Sequence, residues 1–220
     1  MKEKIKNIIL ILLIILFCMS ISPITMQNDT YYSIAIGEHI LENGIDMKDP
    51  FSWHENLPYT YPHWGYDVVT YLIYFAGQAI YGQTGAYFAI YLITAILAAI
   101  LGVTLYKVNK KIAKNTLISF VITLAVAYAL RAYIAARAQL VTFILFVFEI
   151  YFIEMFLEKP KKRYILGLIA IPAIIANLHV AVWWFYFILY MPYVAEYILA
   201  KISKIQDKTM CDRIKITANK

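Results

Sequence analysis

The sequence predicts an all-α fold, a polytopic transmembrane helical bundle of about six spans, and three observations carry that expectation. First, 62% of the 220 residues are hydrophobic and mean hydropathy is +0.64. Soluble domains are roughly half apolar, so most backbone N–H and C=O groups here must pair inside helices in lipid. Second, the apolar residues gather in stretches close to the ~20 residues that cross about 30 Å of hydrocarbon. Third, seventeen of the twenty Lys and Arg residues sit in four clusters between those stretches.

The clusters are Lys2, Lys4 and Lys6; Lys107, Lys110, Lys111 and Lys114; Lys159, Lys161, Lys162 and Arg163; and Lys201, Lys204, Lys208, Arg213, Lys215 and Lys220. The positive-inside tendency places all four in the cytoplasm. The loop 27–85 has the opposite character. It holds Asp29, Glu38, Glu42, Asp46, Asp49, Glu55 and Asp67, seven of the fourteen acidic residues, against the single base Lys48. This loop belongs outside.

Spans are expected at 8–23, 86–106, 115–133, 138–157, 164–178 and 181–200. Residues 1–25 have the basic start and apolar core of a signal peptide, but no convincing small-x-small cleavage site follows, so an uncleaved first helix is expected. Between Arg163 and Lys201 a single helix would be about 55 Å long at 1.5 Å per residue, so the chain must fold back, near Asn177–His179. The apolar segment 67–81 is short and aromatic. Were it to cross, later basic clusters would fall on alternate sides, so it is laid in the outer interface. Segment 31–41 reads as a second short outer helix. Residues 1–200 form a membrane module and 201–220 a basic cytoplasmic tail, giving a multi-pass plasma-membrane protein with both termini in the cytoplasm.

The net charge of +6 flanks the spans instead of forming one basic stripe. Anionic membrane lipids are therefore the expected partners, and nucleic acid is not. Cys18 lies in the first span and Cys211 in the tail, which leaves neither a disulfide framework nor a cysteine metal site.

Polar chemistry collects on the outer side, where all four histidines fall: His39, His54, His63 and His179. With Asp29, Asp49, Glu55 and Asp67 they offer oxygen and nitrogen donors for a divalent cation, Asp29 and Asp49 being the candidate ligands. No His-x-x-x-His spacing supports a metal, and each histidine singly reads as an ordinary loop residue. Arg131 and Arg137 bracket the link between the third and fourth spans. Each offers a planar fork for phosphate oxygens or, alternatively, an anchor to headgroups. Glu149 lies roughly 18 Å into the fourth span at helical rise and is expected to pair with a Ser, Thr or Tyr hydroxyl. Pro172 and Pro192 are each placed to loosen a helix and free carbonyls.

The order Asn28-Asp29-Thr30-Tyr31-Tyr32, Gly37, Ile40, Gly44, then Asp49-Pro50-Phe51-Ser52, then His63-Trp64 and Asp67, resembles the first outer loop of bacterial GT-C-type polytopic glycosyltransferase-like membrane proteins. Arg137-Ala138-Gln139-Leu140 and Asn177-Leu178-His179 resemble that group's Arg-Pro-Gln and Asn-Leu-His segments. Ser33 stands where relatives often have His, and Ala138 replaces Pro. The resemblance implies sugar transfer from a polyprenyl-phosphate carrier on the outer side. It implies Asp29 as general base and Arg137, helped by Arg131, on the leaving phosphate. His63, His179, Asn177 and Trp64 would contact donor or sugar. A capping role for Asp29 at the start of the short helix is the plain alternative. Members usually continue through further helices, so a partner membrane protein supplying them is expected. The competing functional class is a non-catalytic or truncated membrane module that binds lipid carriers or partner helices, with transport a third.

Overall fold

The structure, a computed structural model, describes residues 2–55 and 57–202. It is all-helical: α1 (Lys2–Ser20), α2 (Asn28–Asn43), α3 (Trp64–Ala113), α4 (Thr116–Ala129), α5 (Ala138–Glu158), α6 (Lys162–Leu178), α7 (Phe185–Ile188) and α8 (Met191–Ile202), with single 3₁₀ turns at Arg131–Tyr133 and Val180–Val182. Among the described residues extended pairing is limited to one isolated bridge, Lys48 to Pro58. Trp64–Ala113, Ala138–Glu158 and Val180–Leu199 are long and apolar enough to cross a membrane, and Thr116–Ala129 is apolar but shorter.

α3 is two limbs. Tyr81 (φ −145°, ψ 34°) and Gly82 (φ 58°, ψ −152°) leave helical geometry, and a positive φ of that kind suits glycine, which has no Cβ to clash. Gly77 and Gly85 then face each other so closely that a Cβ on either would overlap the other's carbonyl. In a straight helix residues eight apart would lie about 12 Å from one another. The chain has doubled back, which separates the expected short segment (limb 64–80) from the expected span (limb 83–113). The limb 64–80 packs along α2, where Gly37 lies against the Asp67 carbonyl and the Tyr71 side chain.

Two apolar centres hold the helices together. Ile14 and Cys18 of α1, Ala98 and Leu101 of α3, Ala127 of α4, and Leu140 and Ile144 of α5 make the larger one. Ile171, Ile175 and Tyr186 make the smaller, against Phe148 and Phe152. The exterior is apolar too: Ile5, Ile9, Leu12 and Leu16 of α1, Leu117 and Val121 of α4, and Leu166 and Ile169 of α6 are exposed, while Thr94, Thr104, Ser119, Thr123 and Thr142 are buried. Large aliphatic side chains outside, with small and hydroxyl residues between helices, suit hydrocarbon as the surrounding solvent.

The bundle has two chemically distinct ends. At one, Asn7 Oδ1 accepts hydrogen bonds from Tyr106 Oη at 2.8 Å and Lys110 Nζ at 2.6 Å, and Lys111 pairs with Glu158. The first three basic clusters therefore meet at this end. At the other end the segment 27–63 meets the 131–137 link and the end of α6: Thr30 Oγ1 donates to the Ala136 carbonyl at 3.0 Å, and Val180 N donates to the Pro62 carbonyl at 3.1 Å.

Several local expectations are corrected. The first helix ends at Ser20 and does not continue to Pro23. The stretch Val180–Leu199 keeps the length and apolarity of a span but is divided into a 3₁₀ turn, the short α7 and α8. Pro192 is the second residue of α8, where a missing N–H costs nothing. Pro172 does lie inside α6, and the carbonyl it leaves free, four residues earlier at Leu168, accepts the Tyr186 hydroxyl at 2.6 Å. Glu149 is fully buried, but neither carboxyl oxygen has the expected hydroxyl partner. The Tyr186 hydroxyl is committed to Leu168 and Tyr190. The tail 203–220, with Cys211, lies outside the described residues.

Candidate functional site

The first turn of α2 begins the site. Gln27 is the N-cap residue and no side chain caps this helix, so Asp29 is not a cap. Its Oδ2 instead meets Arg137 Nη2 at 3.0 Å, a charge-assisted pair between residues far apart in sequence. The Thr30 bond to Ala136 sets this approach, because it fixes the first turn of α2 on the residue before Arg137. Arg137 is the N-cap residue of α5 in extended geometry, and its side chain makes no capping bond to that helix. Its buried Nε has no hydrogen-bond partner, so part of the guanidinium fork is uncommitted.

Asp29, Tyr32, Ser33, His63, Arg137, Ala138 and Gln139 line a cavity of about 200 Å³. The lining combines one anion, one cation, an imidazole, an amide and two hydroxyls. Such a set can grip an anionic group at Arg137 while offering both donors and acceptors to neighbouring hydroxyls.

His63 is the N-cap residue of the limb 64–80, without a side-chain capping bond, and stands beside Asp67, with Nδ1 to Oδ2 at 3.7 Å. Its ring is 5.6 Å from that of His179. His179 ends α6 and its Nδ1 is 3.0 Å from Thr142 Oγ1, while the same hydroxyl reaches the Ala138 carbonyl at 3.0 Å. Burial, reinforced by His63, pushes the His179 imidazole down to about 4, so it is neutral at ordinary pH.

Behind the site, Tyr61 Oη donates to Asp46 Oδ1 at 2.6 Å and contacts the Lys48 carbonyl at 3.0 Å, and His39 Nε2 lies 3.5 Å from Asp46 Oδ2. The Tyr61 hydroxyl, with help from Lys48 N, holds Asp46 down at about 2. Tyr61 itself has φ 45°, a costly geometry for a bulky residue, and it directly precedes Pro62 and His63.

The structure thus brings Asp29, Arg137 and His63 onto one cavity and seats His179 against His63. Arg131 is elsewhere: its guanidinium lies 4.2 Å from the Tyr128 ring centroid and donates to the Tyr128 carbonyl. Trp64 and Asn177 are outside the lining, the Asn177 amide bonding back to Ala173. Asp49 accepts from Phe51 N at 2.9 Å as a loop turn. No group of three or more His, Cys, Asp or Glu poised for a metal occurs among the described residues. Gln139, Tyr32 and Ser33 join the site through α5 and α2 periodicity, and Thr142 through the turn below them. Comparison with protein-family models, curated proteins and solved structures finds no match to this chain.

Proposed function

We propose that this chain is an integral membrane glycosyltransferase-like protein that transfers a sugar from a polyprenyl-phosphate carrier at the outer face of the plasma membrane. The observation that carries the reading is the Asp29–Arg137 pair at 3.0 Å on the cavity, at the end of the bundle opposite the lysines. Six crossings, with the limb 64–80 lying in the outer interface, place that cavity where a lipid-borne phosphate arrives. The exposed Val69, Leu72, Phe75 and Ile80 of that limb supply an apolar face for the interface.

In the free protein Arg137 occupies Asp29. A carrier phosphate competes for the same guanidinium, so donor binding releases the carboxylate beside the anomeric carbon. Asp29 then accepts the proton of an acceptor hydroxyl as its oxygen bonds to that carbon. The bond from the anomeric carbon to the phosphate oxygen breaks, and its electron pair stays on the phosphate, which Arg137 stabilises. Gln139 and the hydroxyls of Tyr32 and Ser33 orient the donor.

Transfer from a short-chain polyprenyl-phosphate sugar in proteoliposomes tests this. Asp29→Asn keeps size and removes the base, and turnover should fall by roughly 10²–10⁴-fold. Undiminished transfer by that variant rules Asp29 out as base. A second reading has one observation in its favour. The cavity, about 200 Å³, is smaller than the ~300–1,000 Å³ of typical ligand sites, which suits a module that holds a carrier headgroup, or a partner membrane protein's substrate, without turnover. Binding of the carrier with no transfer in any setting selects it.

A further inference from the structure

Asp67 is an unusual carboxylate. It is 1% exposed, and neither of its oxygens makes a hydrogen bond. Burying a charge unpaired costs several kcal/mol, and two features of the local structure offset that. Asp67 lies in the first turn of the limb 64–80, where the helix dipole favours an anion. The other is His63, whose Nδ1 faces Asp67 Oδ2 at 3.7 Å.

A bare Nδ1 lone pair turned towards a carboxylate would add repulsion to an already costly group. The proton of a neutral His63 therefore sits on Nδ1, and Nε2 is bare. Asp67 stays outside the cavity, whereas His63 lines it. The ring edge turned away from Asp67, which carries Nε2, is the one left for a ligand. A bare nitrogen accepts from an O–H and repels a phosphate oxygen, so this ring reads hydroxyls. His179 has the same form for a different reason. The Thr142 hydroxyl has one hydrogen, and given to the Ala138 carbonyl in the usual helical manner it leaves an oxygen that accepts from His179 Nδ1–H.

We infer that Asp67 is a positioning residue that fixes His63 with Nδ1 protonated, so that Nε2 receives a hydroxyl of the bound sugar. The cavity is then divided: Arg137 takes the phosphate and His63 the sugar. The sugar half of this inference rests on the carrier reading above, and the positioning half does not.

The test has two arms. In the first, histidine ring nitrogens of the full chain are labelled with ¹⁵N, the protein is placed in lipid nanodiscs at about pH 8 where imidazole is neutral, and His63 is assigned by its loss in His63→Gln. The expected result is a protonated Nδ1 and a bare Nε2 in the wild type. Asp67→Asn should move the proton to Nε2 in part or in full, and Asp67→Glu should keep the wild-type form. A wild-type His63 protonated on Nε2, or one indifferent to Asp67→Asn in a folded, monodisperse sample, overturns the inference. The wild-type spectrum alone decides if Asp67→Asn does not fold.

In the second arm, binding of a polyprenyl-phosphate sugar is compared with binding of the same polyprenyl phosphate without sugar. His63→Gln should weaken the first roughly tenfold, a lost buried hydrogen bond, and leave the second within twofold. Equal weakening of both overturns the hydroxyl role. If the wild type binds neither, the carrier reading falls and takes the hydroxyl role with it, while the ¹⁵N result still judges Asp67.

Discussion

Arg137 and Arg131 show what a single residue gains from its surroundings. Both were candidates for phosphate from residue type and position, yet Arg131 spends its guanidinium on the Tyr128 ring and carbonyl, and Arg137 lines the cavity beside Asp29. Lysine preserves charge and loses the planar fork. Arg137→Lys should therefore weaken retention of a polyprenyl-phosphate probe about tenfold or more, and Arg131→Lys less than twofold; equal losses would return both to headgroup anchoring. His179 gives a pH-dependent counterpart. Its folded-state value near 4, below the 6.5 of the free side chain, means that the unfolded chain binds more protons between those values. The stabilisation is complete above about pH 6.5 and is lost as pH falls towards 4, on the order of 3 kcal/mol at most. Thermal unfolding in detergent should show that fall, and His179→Asn should flatten it. Sequence order alone pointed to Asp29, Arg137 and His63, because their neighbours form recognisable segments. It did not show that Asp67 is buried without a hydrogen-bond partner, since burial depends on how closely Gly37 lets α2 approach its carbonyl.

At the scale of elements, charge and hydropathy located the helices better than their breaks. The separation of 67–81 from the following span was legible from charge, because a crossing there would put later basic clusters on alternate sides, and glycines at 77, 82 and 85 make the bend at Tyr81–Gly82 feasible. The dissection of 180–200 was not legible, because an apolar run carries no signal for where its backbone bonds lapse. The reason lies partly in Tyr186. Its place in α7 puts the hydroxyl 2.6 Å from the Leu168 carbonyl, which Pro172 leaves without an N–H four residues on. Tyr186→Phe should destabilise the bundle by about 1–3 kcal/mol by orphaning that carbonyl. In Pro172→Ala, where the helix supplies its own N–H, the same change should cost much less. Unfolding of the single and double variants in mixed micelles measures the difference, and additive costs would show that the hydroxyl acts through its bond to Tyr190 and not through the Leu168 carbonyl.

For the molecule as a whole, the fold adds to the charge pattern a contact-based grouping of the basic clusters, which is the premise of the proposed orientation. Asn7, Lys110, Lys111 and Glu158 tie α1, α3 and α5 together at one end, so the first three basic clusters share a side through contacts and not through counting of spans. The histidines of the site and Arg137 share the other end. Lengths are less uniform than the sequence suggested: α4, with 14 residues, reaches only about 21 Å at 1.5 Å per residue, short of the ~30 Å hydrocarbon layer, and needs the Arg131–Tyr133 turn or a locally thinned bilayer to complete a crossing. Single cysteines test the arrangement in a background of Cys18→Ala and Cys211→Ser. Glu55 is exposed in the loop between α2 and α3, and Ala113 at the end of α3. Glu55→Cys should react with an impermeant maleimide on intact cells, and Ala113→Cys only after permeabilisation. Labelling of both from outside would make the limb 64–80 a crossing in its own right, conflict with the contacts that put the loop and the lysines at opposite ends, and remove the premise on which an outward-facing Asp29–Arg137 cavity rests.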